Sequence, residues 1–330
     1  MPEIHRLPLP TPFPVGPVNT YVLPERPVTL VDPGPVWDPA REALLAGLAH
    51  LGLALEDIDL IVITHPHIDH YGLANEVAAA SGAVVAAHPD AAPRLAVGLA
   101  GMTREGRGVL EELLTLAGAP ETFGEDLLGQ WTLAAAFAHP VRVDRFLPDG
   151  EVLEGGGVRW TAVHTPGHSP GSVCLYEPAG GRLVSGDHLL FHITSNAIIE
   201  FEVPRDRAPA GGPAERLRSL EIYIGALRRL ETLDVSEVLP GHGEPFGGHR
   251  EVITGRLGHY ETRKAEVLAA LNGLGPSPAF RLAEALFPDE AGAMGRFLAL
   301  SEILGHLDLL ETEGRVVRQR DGRAELYRSV

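Results

Sequence analysis

The chain has 330 residues, 45% of them hydrophobic and 22% charged, which suits one large core or a domain of about 250 residues with a smaller companion. One cysteine, Cys174, excludes an internal disulfide framework and any multi-thiolate metal site, so the 15 histidines would have to supply the nitrogen ligands of any metal. A net charge of −17 disfavours loose attraction to nucleic acid or anionic membrane, no apolar run is long enough to span a bilayer, and the opening MPEIHRLPLP lacks the regions of a signal peptide, so a cytoplasmic protein without membrane contact is expected.

The chain opens with extended pieces, VNTYVL (18–23) and VTLVDPGP (28–35), the second running into a Pro/Gly turn at Asp32. Helical spacing over 38–52 ends at Gly52, and DLIVIT (59–64) reads as a buried strand. Immediately after it comes THPHIDH (64–70), with three histidines and an aspartate in seven positions. LANEVAAASG predicts a short helix ending at Gly82, and AVVAAH (83–88) the next strand. Residues 104–138 carry helical spacing and are read as an inserted helical pair lying over the sheet, the insertion as a whole covering about 94–143.

From 151 strands return: VRWTAVH (158–164), SVCLYE (172–177), GRLVSGD (181–187) and VSEVLPGHG (235–243), with helical spacing over 213–232 between the last two. Two batches of strands with helices around them suggest two sheets with helices outside, a mixed α/β sandwich. Beyond about 255 the pattern changes to YETRKAEVLAALNGLG, PAFRLAEALFP and RFLALSEILGHLDLLETEG, three helices, followed by a hairpin VVRQRDGRAELYRSV with Asp321-Gly322 at its turn. Three helices and a hairpin form a winged-helix pattern, so the expected domains are 1–255 and a small C-terminal one over 256–330.

Three later motifs give THPHIDH its meaning. His168 lies in TPGHSPGS, Asp187 in VSGDHLL and His242 in LPGHGEP, each where an apolar run meets a Gly or Pro turn. Strand ends are where α/β sheets place reactive side chains, and four of them can converge at one edge. His65 and His67 can aim at one metal with His168, and Asp69 and His70 at a neighbour with His242. Asp187 can bridge the two. Imidazole and carboxylate without thiolate suit zinc, iron or manganese and leave open positions for water. Two ions so held can share a hydroxide and stabilise charge on an attacked centre, which is hydrolytic chemistry.

THPHIDH, together with His168, Asp187 and His242 in order and context, resembles the H-x-H-x-D-H motif and later ligands of the metallo-β-lactamase superfamily. VNTYVLPERPVTLVDPGP is similar to that family's first two strands, and the resemblance spans roughly residues 3–250. It implies a four-layer αββα sandwich with a dinuclear metal site: His65, His67 and His168 on one ion, Asp69, His70 and His242 on the other, and Asp187 shared. Asp32, at the position of the family's first conserved acid, would orient ligands, and Asp32 and Asp69 would be the catalytic carboxylates. The ions would be two divalent metals, zinc first and manganese or iron as alternatives. Class B1 β-lactamases carry cysteine where this chain has Asp187 and lack a metal-binding histidine at the position of His70. The ligand set instead resembles glyoxalase II, lactonases and metal-dependent ribonucleases.

The expected function is therefore hydrolysis of a small-molecule thioester, lactone or other activated ester. The tail resembles the β-lactamase-like protein 2 group, which makes endoribonuclease or phosphodiesterase action on single-stranded RNA the alternative. Against it, the would-be groove helix, 299–313, carries Glu302, Asp308, Glu311 and Glu313 and no lysine or arginine. The hairpin is more basic, with Arg315, Arg318, Arg320, Arg323 and Arg328, but a packing or homodimerisation module is preferred. Iron-dependent sulfur dioxygenation and a non-catalytic nucleic-acid-binding module rank lower. For substrate contact, His188, His192, Ser195, Asn196, Arg205 and Arg207 are the candidates: His188 adjoins a ligand, His192, Ser195 and Asn196 can line a cleft, and the two arginines of EVPRDRAP can grip an anion. His88 is read as structural, and Trp131 and Phe137 as packing residues.

Overall fold

The computed structural model describes residues 3–195, 197–199 and 216–330. Asn196, Arg205 and Arg207 lie outside the described residues. The chain divides into two compact units, the first made of residues 1–101, 134–195 and 226–253, the second of 102–133, 196–225 and 254–330.

The first unit contains two sheets. One has the order β1 (His5–Leu9), β2 (Val18–Leu23), β3 (Thr29–Val31), β4 (Leu60–Ile63), β5 (Val84–Ala87), β6 (Arg145–Phe146). β1, β2 and β3 pair antiparallel, while β3 to β6 run parallel. The other has the order β11 (Glu237–Pro240), β10 (Arg182–Gly186), β9 (Val173–Glu177), β8 (Val158–His164), β7 (Val152–Gly155), with only β10 and β11 parallel.

The pleat sorts side chains to two cores. Val22, Leu30, Ile61, Ile63 and Val85 face α1 (Asp38–His50) and α3 (Ala74–Ser81), joining Leu44, Leu48 and Val77. Their alternates Tyr21, Leu23, Val31, Val62 and Ala86 meet Leu153, Trp160, Ala162, Leu175, Val184 and Leu239 between the sheets. LIVI over β4 is buried at all four positions because both its faces are covered. The fold is the expected α/β sandwich. Between β4 and α3 the histidine motif forms a single helical turn, α2 (Ile68–Tyr71), with His67 at its N-cap. β1 and β7 carry no clear strand signal in sequence. β1 contains Pro8, which an edge strand tolerates, and β7 is VLEG, too short and glycine-ended to stand out.

Helix α4 (Ala92–Leu116) is interrupted at Gly98, whose φ of 64° is not helical, and runs from the first unit into the second. The second unit takes in most of α5 (Glu121–Ala134), the first half of α6 (Ser219–Glu231) and most of α7 (His249–Leu274), together with α8 (Ala279–Leu286), α9 (Gly292–Thr312) and the hairpin β12 (Val316–Asp321) and β13 (Ala324–Ser329). Trp131 packs edge-on against Phe297, and Phe123 lies 5.0 Å from Phe280. The two-residue loop of the hairpin is Gly322-Arg323, with Asp321 paired to Ala324, one position on from the expected dipeptide. Gly322 supplies the positive φ, 59°, that such a loop needs.

Candidate metal centre

Loops of the first unit bring the motif residues together. Nε2 of His65 lies 3.0 Å from Nδ1 of His67, and Nε2 of His168 lies 2.9 Å from that same Nδ1. Three nitrogens gathered so closely cannot all be satisfied by hydrogen bonds to one another, and their lone pairs share one small space. Beside them, Nε2 of His242 is 3.4 Å from Oδ2 of Asp69, and Nε2 of His70 is 3.9 Å from that oxygen. Asp187 stands between the two groups. Its Oδ2 is 3.9 Å from His65 Nε2, 3.8 Å from His168 Nε2 and 3.5 Å from His242 Nε2, while Oδ1 is 3.4 Å from His70 Nε2. All seven sequence-derived ligand candidates therefore converge.

The glycines of the motifs make the room. A Cβ on Gly241 would sit 2.3 Å from Asp187 Oδ1 and 2.8 Å from His70 Cε1, and one on Gly186 would meet Thr64 Oγ1 at 2.6 Å. Gly186 also has a φ of 48°, which turns the chain so that Asp187 leaves β10 towards the histidines.

Asp32 is 2% exposed and holds the histidine motif from beneath, although its own φ of 51° is uncommon for a residue with a side chain. It accepts from the Thr64 backbone N–H at 2.8 Å and the Thr64 hydroxyl at 2.6 Å, and its Oδ2 is 2.9 Å from His70 Nδ1. The Thr64 oxygen is in turn 3.0 Å from His65 Nδ1. His242 Nδ1 lies 2.8 Å from the Pro17 carbonyl, to which it donates. Asn19 and Tyr21 tie down the LPGHGEP loop through the Pro240 carbonyl, at 2.9 and 2.8 Å. Thr64, Pro17, Asn19 and Tyr21 were not marked by sequence reasoning. The usable signal was two polar side chains, Asn19 and Thr20, inside a strand buried at every position.

The electrostatics favour added positive charge. Burial holds His65 and His67 well below the ordinary histidine range, reinforced by neighbouring imidazoles, so both are neutral. For His70 burial acts in the same sense, but the carboxylates of Asp187, Asp69 and Asp32 outweigh it and hold the pKa well above the usual value. Burial would raise Asp69, yet His70 and His242 bring it down to about 2. Asp187 is lowered for the same reasons. Nε2 of His70, Nε2 of His242 and Oδ1 of Asp187 are buried without a hydrogen bond. The carboxylates that hold a proton on His70 would equally hold a divalent cation in the proton's place, and the unpaired buried atoms of His70, His242 and Asp187 fit that exchange. The triads His65, His67, His168 and Asp69, His70, His242 each have spacing that could hold one.

Two further groups have similar spacing: Asp32, His65 and His70, which overlaps the site, and His88, Asp90 and His164. In the His88 group the two rings stack 3.8 Å apart at 12°, so their in-plane lone pairs run parallel and cannot converge on one ion. Of the substrate candidates, His192 is exposed beside Phe191, His188 is buried and Ser195 is buried with Oγ 3.1 Å from His168 Nδ1. Of the five hairpin arginines, Arg318 faces Glu311 and Glu325, Arg315 faces Glu313 and Arg323 faces Glu121. Helix α9 is buried from Ala299 to Leu310 except at Glu302 and Leu309.

An α/β sandwich whose loops gather His/Asp clusters of metal-binding spacing fits a metal-dependent hydrolase. Residues 13–242 match the model of the metallo-beta-lactamase superfamily, and the chain belongs to that superfamily. It is 32% identical over 324 residues to the Bacillus subtilis (strain 168) protein named probable metallo-hydrolase YqjP, covering 98% of this chain and 96% of the other. The human acyl-coenzyme A thioesterase MBLAC2 is 30% identical over 195 residues, 58% of each chain. Among solved structures, a metallo-beta-lactamase family protein of Thermus thermophilus superposes with a TM-score of 0.81 at 30% identity, covering 99% of this chain and 98% of that one. Among the described residues no helix is long and apolar enough to cross a membrane.

Proposed function

We propose that the protein is a dinuclear metallohydrolase acting on a small-molecule thioester or other activated ester. The observation that carries the reading is Asp187, whose Oδ2 lies within 4 Å of nitrogens from both histidine groups. In this reading His65, His67 and His168 hold one divalent cation, Asp69, His70 and His242 the other, and Asp187 both. Zinc is the first choice, because imidazole and carboxylate donors in an incomplete shell suit it. Bound there, two cations supply a lowered pKa for water and positive charge against the developing oxyanion.

The chain's own residues do the rest. Asp32 fixes the tautomer of His70 by accepting its Nδ1–H, and by accepting the Thr64 hydroxyl it leaves the Thr64 oxygen to accept the Nδ1–H of His65. Asp69 stays ionised at neutral pH and is more exposed at its side chain, 14%, than His70 or His242. Its Oδ1 is the atom that accepts a proton as water attacks and returns it to the leaving group. The thioester preference is supported by the likeness to an acyl-coenzyme A thioesterase. RNA is the weaker reading, because three hairpin arginines face acidic side chains and α9 is buried where a groove-reading helix must be exposed. We propose that residues 256–330, read as winged-helix-like, serve packing and not nucleic-acid recognition.

The test is metal analysis followed by a panel of acyl thioesters, lactones, aryl phosphodiesters and short RNA on zinc-, manganese- and iron-loaded protein. Two ions per chain with thioester or lactone turnover is the expected result. Turnover confined to phosphodiesters or RNA would overturn the substrate assignment, and metal content far below one per chain would overturn the site.

A further inference from the structure

A histidine that gives a lone pair to a cation from one ring nitrogen must carry its proton on the other, so the partner of that second nitrogen selects the ligating tautomer. Three of the site's histidines have such partners: the Thr64 hydroxyl for His65 at 3.0 Å, the Asp32 carboxylate for His70 at 2.9 Å and the Pro17 carbonyl for His242 at 2.8 Å. His168 turns Nε2 to the cluster, 2.9 Å from His67 Nδ1, and Nδ1 to Ser195, whose Oγ is 3.1 Å away. Ser195 is 5% exposed, so water does not compete freely for that contact.

We infer that Ser195 is a positioning residue, its hydroxyl oxygen accepting the Nδ1–H of His168 and thereby aiming the Nε2 lone pair at the cation site. The inference rests on the two-cation reading given above. Ser195 does not belong to the loop that carries His168. It ends the segment that leaves β10 past Asp187, a segment fastened at its start where Ser185 donates to the Leu189 carbonyl at 2.8 Å. One short stretch of chain thus contributes the shared carboxylate at its beginning and the tautomer partner of His168 at its end. Between the two anchors Leu190 is buried, while Phe191, 48% exposed, and Ile193, 39% exposed, stand outward. A role in packing alone would be served equally by alanine, which fills less of the same buried space but offers no acceptor.

The experiment compares full-length wild type, Ser195→Ala and Ser195→Thr after removal of metal, titrating zinc against a competing chelator and recording ring-nitrogen NMR spectra of histidine-labelled protein. Ser195→Ala is expected to weaken one of two zinc equivalents by about ten- to a hundredfold, with the other unchanged. Its His168 signals should move from a single Nδ1–H tautomer to a mixture, and Ser195→Thr should restore both properties. Wild-type affinity and an unchanged His168 tautomer in Ser195→Ala would overturn the inference. Should the alanine variant fail to fold, Ser195→Cys, a far weaker acceptor of similar size, carries the same comparison. If the wild type binds no zinc, the two-cation reading falls, while the NMR comparison still decides whether Ser195 selects the tautomer.

Discussion

Both units bury ionisable side chains, and the clusters around Asp308 and around Asp187 settle the cost in opposite ways. In the second unit Asp308 is 4% exposed and meets the guanidinium of Arg216, Lys264 meets Glu313 and Glu261, and Arg263 lies 2.8 Å from Glu302. Each of these charges has its counter-charge within the chain. In the first unit Asp32, Asp69 and Asp187 surround histidines, with orphaned nitrogens on His70 and His242 and an orphaned oxygen on Asp187. The difference teaches how to tell a structural charge cluster from a functional one: the former is electrically complete, the latter is complete only with something added.

The sharpest way to break that contrast is to remove the shared carboxylate. Asp187→Ala should lower turnover by at least about a hundred- to a thousandfold and reduce the bound metal to less than two ions per chain, measured by steady-state kinetics and elemental analysis. Retention of both ions with near wild-type turnover would mean that Asp187 is not shared. Gly241→Ala should act almost as strongly through geometry, because its new Cβ would fall 2.3 Å from Asp187 Oδ1.

The converse holds for the second unit. Asp308→Ala leaves the Arg216 guanidinium in a partly buried position without its carboxylate and should cost about 3–5 kcal/mol of stability, read from denaturant unfolding, with metal content unchanged. Replacing both partners, as Arg216→Met with Asp308→Leu, should restore most of that loss. Loss of metal in the single variant would show that the pair serves the site and that the contrast is drawn in the wrong place. Asp32→Asn lies between the two cases. It keeps the shape but removes the charge that orders His70 and Thr64, and a drop of about ten- to a hundredfold in metal affinity or activity is expected, smaller than for Asp187→Ala.

How much of this was legible beforehand follows from the range of the interactions. The candidate ligands were legible because each is local: an apolar strand, a Gly or Pro turn and a side chain of metal-binding type occupy a few consecutive residues around His65, His168, Asp187 and His242. The strands β2, β4, β8 and β9 were legible for the same reason, through unbroken apolar runs or alternation. What orients the ligands was not legible. The partner of His242 is a backbone carbonyl at Pro17, 225 positions away, and any residue can offer one. Ser195 was visible only as a polar residue near the site and was assigned to the substrate cleft, whereas its hydroxyl faces the back of His168. The buried pair Arg216 and Asp308 was equally hidden, since Asp308 reads in sequence as one of four acidic side chains of its helix, the property that set that helix against nucleic acid.

The smallest effect concerns a histidine on neither side of the contrast. His88 is buried, stacked on His164, and its ring Nδ1 accepts from the Asp90 backbone N–H at 3.2 Å. Burial first, and the neighbouring His164 second, bring its pKa down to about 4, while Asp90 and Asp149 pull more weakly the other way. In the unfolded chain the same imidazole titrates near about 6.5. Between those values the unfolded chain binds a proton that the native one refuses. The associated stability is therefore fully present above about pH 6.5, is lost as the pH falls towards 4, and changes no further below that, with a slope of at most about 1.4 kcal/mol per pH unit. His88→Asn keeps an acceptor for the Asp90 N–H and has nothing to titrate. In chelator-treated protein its melting temperature should fall less steeply than that of the wild type between pH 6.5 and 4, by the equivalent of up to one proton. His306, also lowered to about 4 by burial in the second unit, should leave a remaining slope in both proteins. Parallel curves for the two proteins would mean that His88 is protonated as readily in the fold as out of it, and that its stacked pair with His164 tolerates charge after all.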